Sequence, residues 1–364
     1  MKNSDLAFMA KAIQLAEKPV FSPHPNPRVG CVIVKNNIIV GEGCHEFAGG
    51  PHAEVTALAS AGKQSRNASV YVTLEPCSHF GRTPPCADAL IKAQVSRVVI
   101  AMKDPNPKVA GKGINALLEA GIKVEIGTLA SAAKDLNKGF IKRILSGMPW
   151  VCSKIAMSLD GRTSMPGGES KWITGPAARQ DVQLLRARTH AILSGSGTVI
   201  ADDPRFTVRG AAAEGVAGNG FRQPLRVIVD SQGKVNANVS KRIFSQGGQT
   251  VLAVLEKPDF DCEYMLLPAD DGKVSLTQLL KSLAAREVND VLVEAGPGLN
   301  GALLSQGLID ELIVYMATDV MGDDANGMFH LPGLNRMKDK ISFKCEDIRK
   351  VGDNIRMRFI PLLK

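Results

Sequence analysis

The segment Glu75-Pro76-Cys77-Ser78-His79-Phe80-Gly81-Arg82-Thr83-Pro84-Pro85-Cys86, taken with Gly49-Gly50-Pro51-His52-Ala53-Glu54 upstream, organises the first part of the chain. His52, Cys77 and Cys86 supply one imidazole and two soft sulfur donors, the set a catalytic zinc uses when three protein ligands leave its fourth position to water. Glu54 then stays off the metal and is free to move protons. Pro51 is placed to open a helix from His52 to about Ala61, and Thr83-Pro84-Pro85-Cys86 reads as the cap, proline start and first turn of a second, to about Ala93. Ligands in first turns lie beside positive helix ends, which favours the thiolates that zinc needs. Residues two apart do not share a face in mid-helix, so His52 and Glu54 converge only on something near the helix mouth, such as a metal and its water.

His52-Ala53-Glu54 and Pro76-Cys77 fit the H-x-E and P-C-x-x-C signature of zinc nucleobase deaminases. The spacing departs from it, because eight residues, Ser78 to Pro85, separate the cysteines where the signature has two. That insertion puts His79 and Arg82 beside the metal. Two other readings stay open on the residues alone. One is a closed structural zinc taking a fourth ligand from Cys31, Cys44, His45 or His79; the other is cysteines that only fill a core.

The length of 364 residues favours two domains, each able to bury a core. No long apolar run or secretory N-terminus is present, so a soluble, cytoplasmic protein without membrane contact is expected. Seven unevenly spaced cysteines do not form a disulfide framework and suit a reducing compartment. The net charge of +8 is dispersed, and aromatic residues make up only 5%. A nucleic-acid surface would cluster its charge and interleave aromatics, so the charge points to small phosphorylated ligands or to a generic basic surface.

Residues 4–17 have helical apolar spacing, and a proline-punctuated loop over 22–28 leads into two β-rich runs about Asn36-Asn37, a hairpin. In that loop Asn26 either offers its amide to a heterocycle or is a turn residue between prolines. Strands Ser69 to Thr73, Arg97 to Ala101 and Ile122 to Ile126 then alternate with the second zinc helix, a helix Ile114 to Glu119 and a single helix Ala130 to Leu145. The alternation predicts an α/β sandwich with helices on both faces. Asp104-Pro105-Asn106-Pro107 lies at a strand end, where it either meets a ligand or only turns the chain. His52-Ala53-Glu54, Thr73-Leu74-Glu75-Pro76-Cys77, Gly81-Arg82-Thr83-Pro84-Pro85-Cys86 and Asp104-Pro105-Asn106-Pro107 resemble the deaminase half of the bifunctional bacterial riboflavin-biosynthesis deaminase/reductase family, a cytidine deaminase-like fold. The long cysteine gap is what that family shows.

Ser146-Gly147-Met148-Pro149 is the seam between domains 1–146 and 147–364. Beyond it come a strand Trp150 to Met157, a helix Pro176 to Arg188, strands Ala191 to Leu193, Leu225 to Asp230 and Thr250 to Leu255, and a Gly/Ala-rich surface loop over 210–220. Near the end, Gly296, Gly298 and Gly301 satisfy G-x-G-x-x-G between a strand Asp290 to Val293 and a short helix. They either hold a dinucleotide pyrophosphate on backbone N–H groups, in a fold other than a Rossmann domain, or make a tight turn. Lys154-Ile155-Ala156-Met157-Ser158-Leu159-Asp160-Gly161-Arg162, Gly168-Glu169-Ser170-Lys171-Trp172-Ile173-Thr174, Ala201-Asp202-Asp203-Pro204 and Val293-Glu294-Ala295-Gly296-Pro297 resemble the reductase half of the same family. That half is dihydrofolate reductase-like and takes its hydride from NADPH. The match is weak over 210–220, 256–274 and the last thirty residues.

The resemblance implies an α/β protein of two domains, an N-terminal cytidine deaminase-like α/β/α sandwich and a C-terminal dihydrofolate reductase-like α/β domain. It implies zinc-dependent loss of the 2-amino group of a phosphoribosylaminopyrimidine, with Asn26, His45, His79 and Arg82 on the substrate, followed by NADPH-dependent reduction of the ribosyl group. Ala156, Ser170, Trp172, Thr198, Asp202, Ser231 and Gly296, Pro297, Gly298, Leu299, Asn300, Gly301 and Ala302 are then expected at the cofactor. Ser170, Arg186, Phe206, Arg209 and Glu294 are expected at the substrate, and Lys154, Asp202 and Glu294 are the candidate proton handlers. Small phosphorylated pyrimidines are the expected partners, in a homo-oligomer with a dimer as the first choice. The alternative is a nucleic-acid base deaminase whose second half is a binding module, which salt-sensitive binding to single strands would reveal.

Overall fold

The computed structural model describes residues 3–18, 24–78, 84–107, 109–210, 222–238, 240–245 and 247–362. His79, Arg82 and nearly all of the 210–220 loop lie outside them. The chain divides into two compact units, the first ending at Gly147 and the second starting at Met148.

The first unit runs α1 (Asn3–Glu17), β1 (Gly30–Lys35), β2 (Ile38–Cys44), α2 (Ala53–Ala61), β3 (Ser69–Val72), α3 (Cys86–Lys92), β4 (Arg97–Ile100), α4 (Lys112–Glu119), β5 (Lys123–Ile126), α5 (Ala130–Leu136) and α6 (Lys138–Ser146). Its sheet has the order β2-β1-β3-β4-β5, antiparallel on both sides of β1 and parallel from β3 to β5. Asn36 and Asn37 turn the hairpin with φ of 50° and 62°, the double positive φ that a tight hairpin between right-twisted strands requires. Ala57, Leu90 and Leu117 from α2, α3 and α4 cover one face of the sheet; Met9, Ile13 and Ala133 from α1 and α5 cover the other. Buried on both faces, β1 is the near-continuous apolar run Gly30-Cys31-Val32-Ile33-Val34.

The position of α2 depends on two glycines of β2. A Cβ on Gly43 would lie 2.3 Å from Ala53 O, and one on Gly41 would lie 2.4 Å from Ala57 O, so the helix backbone rests directly on the strand. This brings His52 and Glu54 down to the sheet edge.

Two helix expectations need correction. His52 is not the first helical residue but the extended residue that precedes the helix, with φ −72° and ψ 159°. The single helix over 130–145 is broken at Asn137, whose side chain accepts from Arg28 N at 2.8 Å and donates to Arg28 O at 2.9 Å. Satisfying both backbone groups of a distant segment holds Asn137 at φ −119°, ψ 21°, outside helical geometry.

The second unit runs β6 (Trp150–Met157), β7 (Arg162–Ser164), α7 (Pro176–Arg188), β8 (Ala191–Gly195), α8 (Ser196–Asp202), β9 (Leu225–Asp230), α9 (Arg242–Ser245), β10 (Thr250–Val254), β11 (Glu263–Leu266), β12 (Ala269–Asp270), β13 (Lys273–Val274), α10 (Leu276–Ala285), β14 (Asp290–Val293), α11 (Pro297–Ser305), β15 (Glu311–Met316), β16 (Asn326–Gly327), β17 (Ser342–Val351) and β18 (Asn354–Leu362). Nine strands form one sheet in the order β11-β10-β9-β8-β14-β6-β15-β18-β17. It is parallel from β11 to β15 and antiparallel at β18 and β17. Most of the last thirty residues, where the family match is weak, form the long β17–β18 hairpin; β17 is an edge strand that is largely exposed, so no buried face imposes a period on it. Lys154 and Ala156 lie on the central strand β6, and Glu294, Ala295 and Gly296 leave the carboxyl end of β14, where ligands bind in open parallel sheets.

Candidate metal centre and reductase cleft

In the first unit the starts of α2 and α3 converge. His52 Nδ1 lies 3.2 Å from Cys86 Sγ and 3.5 Å from Cys77 Sγ, and the three donor atoms fall within 4.8 Å of one another. Zn–S bonds of about 2.3 Å and Zn–N bonds of about 2.0 Å at tetrahedral angles put nitrogen and sulfur about 3.5 Å apart, so the donor set fits zinc. Cys77 is held in turn by α3: its Sγ accepts from Cys86 N at 3.3 Å and its carbonyl accepts from Ala87 N at 3.1 Å. The hydrogen bond from Cys86, strengthened by His52, pulls the Cys77 thiol down to about 4, while the same pairing and burial push Cys86 up. A thiolate is therefore already favoured at Cys77.

Among the described residues no fourth His, Cys, Asp or Glu joins the set. Cys31 is fully buried in the core under α2. His45 spends both ring nitrogens on the protein: Nδ1 donates to Pro51 O at 3.0 Å, so Nε2 is the acceptor for Asn26 Nδ2 at 3.0 Å. Its ring meets that of His52 edge to face at 5.3 Å, and burial lowers its pKa. His45 thus joins Asn26 to the Pro51-His52 turn. Glu54 is 3% exposed, and burial pushes its carboxyl up to about 7.

In the second unit a cleft of about 760 Å³ opens over β6, β8 and β14. Glu294 is its anionic centre. Arg186 reaches it from α7 with Nε at 2.6 Å and a terminal nitrogen at 3.1 Å, and Lys154 Nζ approaches from β6 at 3.1 Å. Burial raises the carboxyl, but the two cations prevail and hold it at about 2, so Glu294 is ionised at neutral pH. The remaining nitrogen of Arg186 donates to Thr207 O at 3.2 Å, and its guanidinium lies over the Phe206 ring. Asp202 accepts from Ser170 Oγ at 3.0 Å, and Trp172, 70% exposed, is stacked by Arg179 at 4.6 Å.

Of the expected cofactor residues, Ala156, Ser170, Trp172, Thr198, Asp202 and the run Gly296 to Asn300 line this cleft; Ser231, Gly301 and Ala302 do not. Ser231 Oγ instead accepts from Val274 N. Gly301 faces away from the cleft, where a Cβ would lie 2.0 Å from His330 O, so the third glycine of the motif serves close packing. Asn300 is buried, with its side chain spent on Ala295 O and Ser153 Oγ.

Sequence reasoning missed Arg205 and Arg242. Both line the cleft with Arg186 and Arg209, and burial together with these three neighbours lowers the Arg209 pKa. Arg242 is paired with Asp203, whereas Arg205 Nε is buried and has no hydrogen-bond partner among the described residues. Four arginines at unrelated positions leave no local pattern.

Residues 2–102 match the family model described as the cytidine and deoxycytidylate deaminase zinc-binding region, and residues 149–357 match the RibD C-terminal domain. The riboflavin biosynthesis protein RibD of Escherichia coli (strain K12) is 49% identical over 98% of this chain and 99% of its own length. The chain belongs to the RibD family. It is a bifunctional enzyme of riboflavin biosynthesis, a deaminase and a reductase in one polypeptide. Among solved structures, Acinetobacter baumannii RibD superimposes with a TM-score of 0.91 at 46% identity, covering 99% of both chains. A diaminohydroxyphosphoribosylaminopyrimidine deaminase/5-amino-6-(5-phosphoribosylamino)uracil reductase from Thermotoga maritima gives 0.88 at 33% identity over the same share. RibD membership supersedes the reading of a base deaminase acting within nucleic acid. Among the described residues no helix is long and apolar enough to cross a membrane.

Proposed function

We propose that the first unit hydrolyses the 2-amino group of 2,5-diamino-6-(5-phosphoribosylamino)pyrimidin-4(3H)-one, and that the second reduces the product, 5-amino-6-(5-phosphoribosylamino)uracil, with NADPH to 5-amino-6-(5-phosphoribitylamino)uracil. The observation that carries this reading is a three-donor zinc set with a buried carboxylate beside it, in a chain whose other unit holds a cation-rich cleft.

When bound, zinc supplies a water acidified to near neutrality. Glu54 takes one proton from the attacking water and gives it to the ring nitrogen, then carries the second, from the hydroxyl so formed on the ring carbon, to the amine as the C–N bond breaks, a double role open to a carboxylate off the metal. Asn26, its amide nitrogen held by His45, keeps its oxygen for the pyrimidine. When bound, NADPH supplies the hydride to the ribosyl C1′. The amides opening α11 would hold the dinucleotide phosphates, and Lys154, held by Glu294, would supply the proton that the reduction needs.

Arg205 and Arg209 take the substrate phosphate. Arg205→Ala is expected to raise the KM for the deaminated intermediate about 10- to 100-fold, the worth of one charged hydrogen bond, with the KM for NADPH unchanged. Steady-state reductase kinetics decide it; a rise confined to NADPH would reassign Arg205 to the cofactor.

The reading as a whole is tested by supplying zinc-loaded protein with the diaminopyrimidine and NADPH while following ammonia and NADPH absorbance together. Ammonia release before NADPH loss is the expected result, and NADPH loss without ammonia would reverse the order of steps. A homo-oligomer, a dimer in the first instance, and a cytoplasmic setting complete the proposal; light scattering of the purified chain tests the former.

A further inference from the structure

Glu75 stands two residues before Cys77 and is not one of the metal donors. It is 4% exposed, and among the described residues no cation pairs with it. A buried carboxylate is costly unless its charge is answered by hydrogen bonds. Here the answer is entirely backbone. Oε2 accepts from Asp104 N at 3.2 Å and Gly111 N at 3.0 Å, and Oε1 accepts from Gly113 N at 3.1 Å and Ile114 N at 3.3 Å. Three of these amides open α4, where N–H groups have no partner within the helix and the helix dipole favours a negative charge. The fourth opens the loop Asp104-Pro105-Asn106-Pro107.

The main chain of the same segment is anchored as tightly. Glu75 N donates to Met102 O at 3.0 Å, just past β4. Gly113 is pressed against Pro76, since a Cβ on it would lie 1.9 Å from Pro76 O. The side chain of Glu75 therefore ties the 104–107 loop and the start of α4 to the backbone that enters Cys77, and its main chain adds the end of β4.

We propose that Glu75 is a positioning residue of the deaminase centre: it holds Pro76-Cys77 where Cys77 Sγ meets His52 and Cys86, and it keeps the 104–107 loop in register with them. A glutamine cannot replace it, because one acceptor oxygen and one donor nitrogen would face four amide hydrogens. This inference rests on the zinc reading of His52, Cys77 and Cys86.

The test is the zinc affinity of the full chain by competition with a chromophoric chelator, for wild type, Glu75→Gln and Glu75→Asp, with thermal unfolding of the metal-free proteins alongside. Glu75→Gln is expected to bind zinc about 10- to 100-fold more weakly, the usual effect of losing a group that orients a ligand. Glu75→Asp, which keeps the charge, recovers part of that affinity. At saturating zinc the deaminase kcat of Glu75→Gln stays low, while reduction of the deaminated intermediate is unchanged. Equal zinc affinity in wild type and Glu75→Gln overturns the proposal, even with a lowered melting temperature, because a merely structural carboxylate would give that pattern. Should Glu75→Gln not fold, Glu75→Asp decides: weaker zinc binding supports the role, and wild-type affinity overturns it. Wild type that takes up no zinc would defeat the metal reading itself.

Discussion

Glu54→Gln is expected to lower ammonia release by about 10³- to 10⁴-fold, the upper range for loss of a group that transfers protons. The substitution keeps size and hydrogen-bonding capacity but cannot accept a proton. Glu54 opens the first turn of α2, two residues past His52, and lies outside the donor set. Zinc content measured by atomic absorption should therefore match wild type, which separates loss of proton transfer from loss of metal. Burial raises the carboxyl to about 7, so it exchanges a proton easily near neutrality. Supplied with the deaminated intermediate, the variant should oxidise NADPH at the wild-type rate. Retention of deamination to within about tenfold would remove Glu54 from the proton path.

Arg186→Met is expected to destabilise the second unit by about 3–5 kcal/mol, the range for stripping one partner from a buried ion pair. The side chain is nearly the right length, but Glu294 is left with Lys154 alone and Thr207 O loses its donor. Trp150 and Trp172 both lie in this unit, so urea unfolding followed by tryptophan fluorescence reports on it alone. Glu294 is held at about 2 folded against an ordinary 4.5, so its contribution is complete above about pH 4.5 and is lost as pH falls through 2. Removing Arg186 should weaken that protection and move acid unfolding of the unit to higher pH. Reduction should be lost while ammonia release continues. A stability change below about 1 kcal/mol would mean that solvent already screens the pair.

The metal set was legible because its chemistry is local. His52 and Glu54 are two apart, and Pro76-Cys77 and Pro85-Cys86 each mark a loop entering or opening a helix, so residue type and spacing carry the meaning. The Asn36-Asn37 hairpin and the strand–helix alternation were legible for the same reason: turn chemistry and hydrophobic period act over a few residues. The glycine motif was read only in part, since Gly296 and Gly298 face the cleft while Gly301 answers to the backbone of His330, 29 residues away in the chain.

What tertiary structure alone decided are the contacts made at long range. Arg186 and Glu294 meet across 108 residues because α7 packs over the sheet that places β14 beside β6. Asn137 breaks a helix that its own neighbours favour because Arg28, 109 residues earlier, needs both its backbone groups satisfied. Arg205 gains meaning only from the arginines gathered around the same cleft, and Glu75 only from amides 29 to 39 residues downstream. Sequence by itself determined which chemistry the chain carries, because ligand and turn identities are written in neighbouring residues. Which charges are compensated, and by whom, was decided by strand order and helix packing, because a buried charge is answered by whatever the fold brings within hydrogen-bond reach.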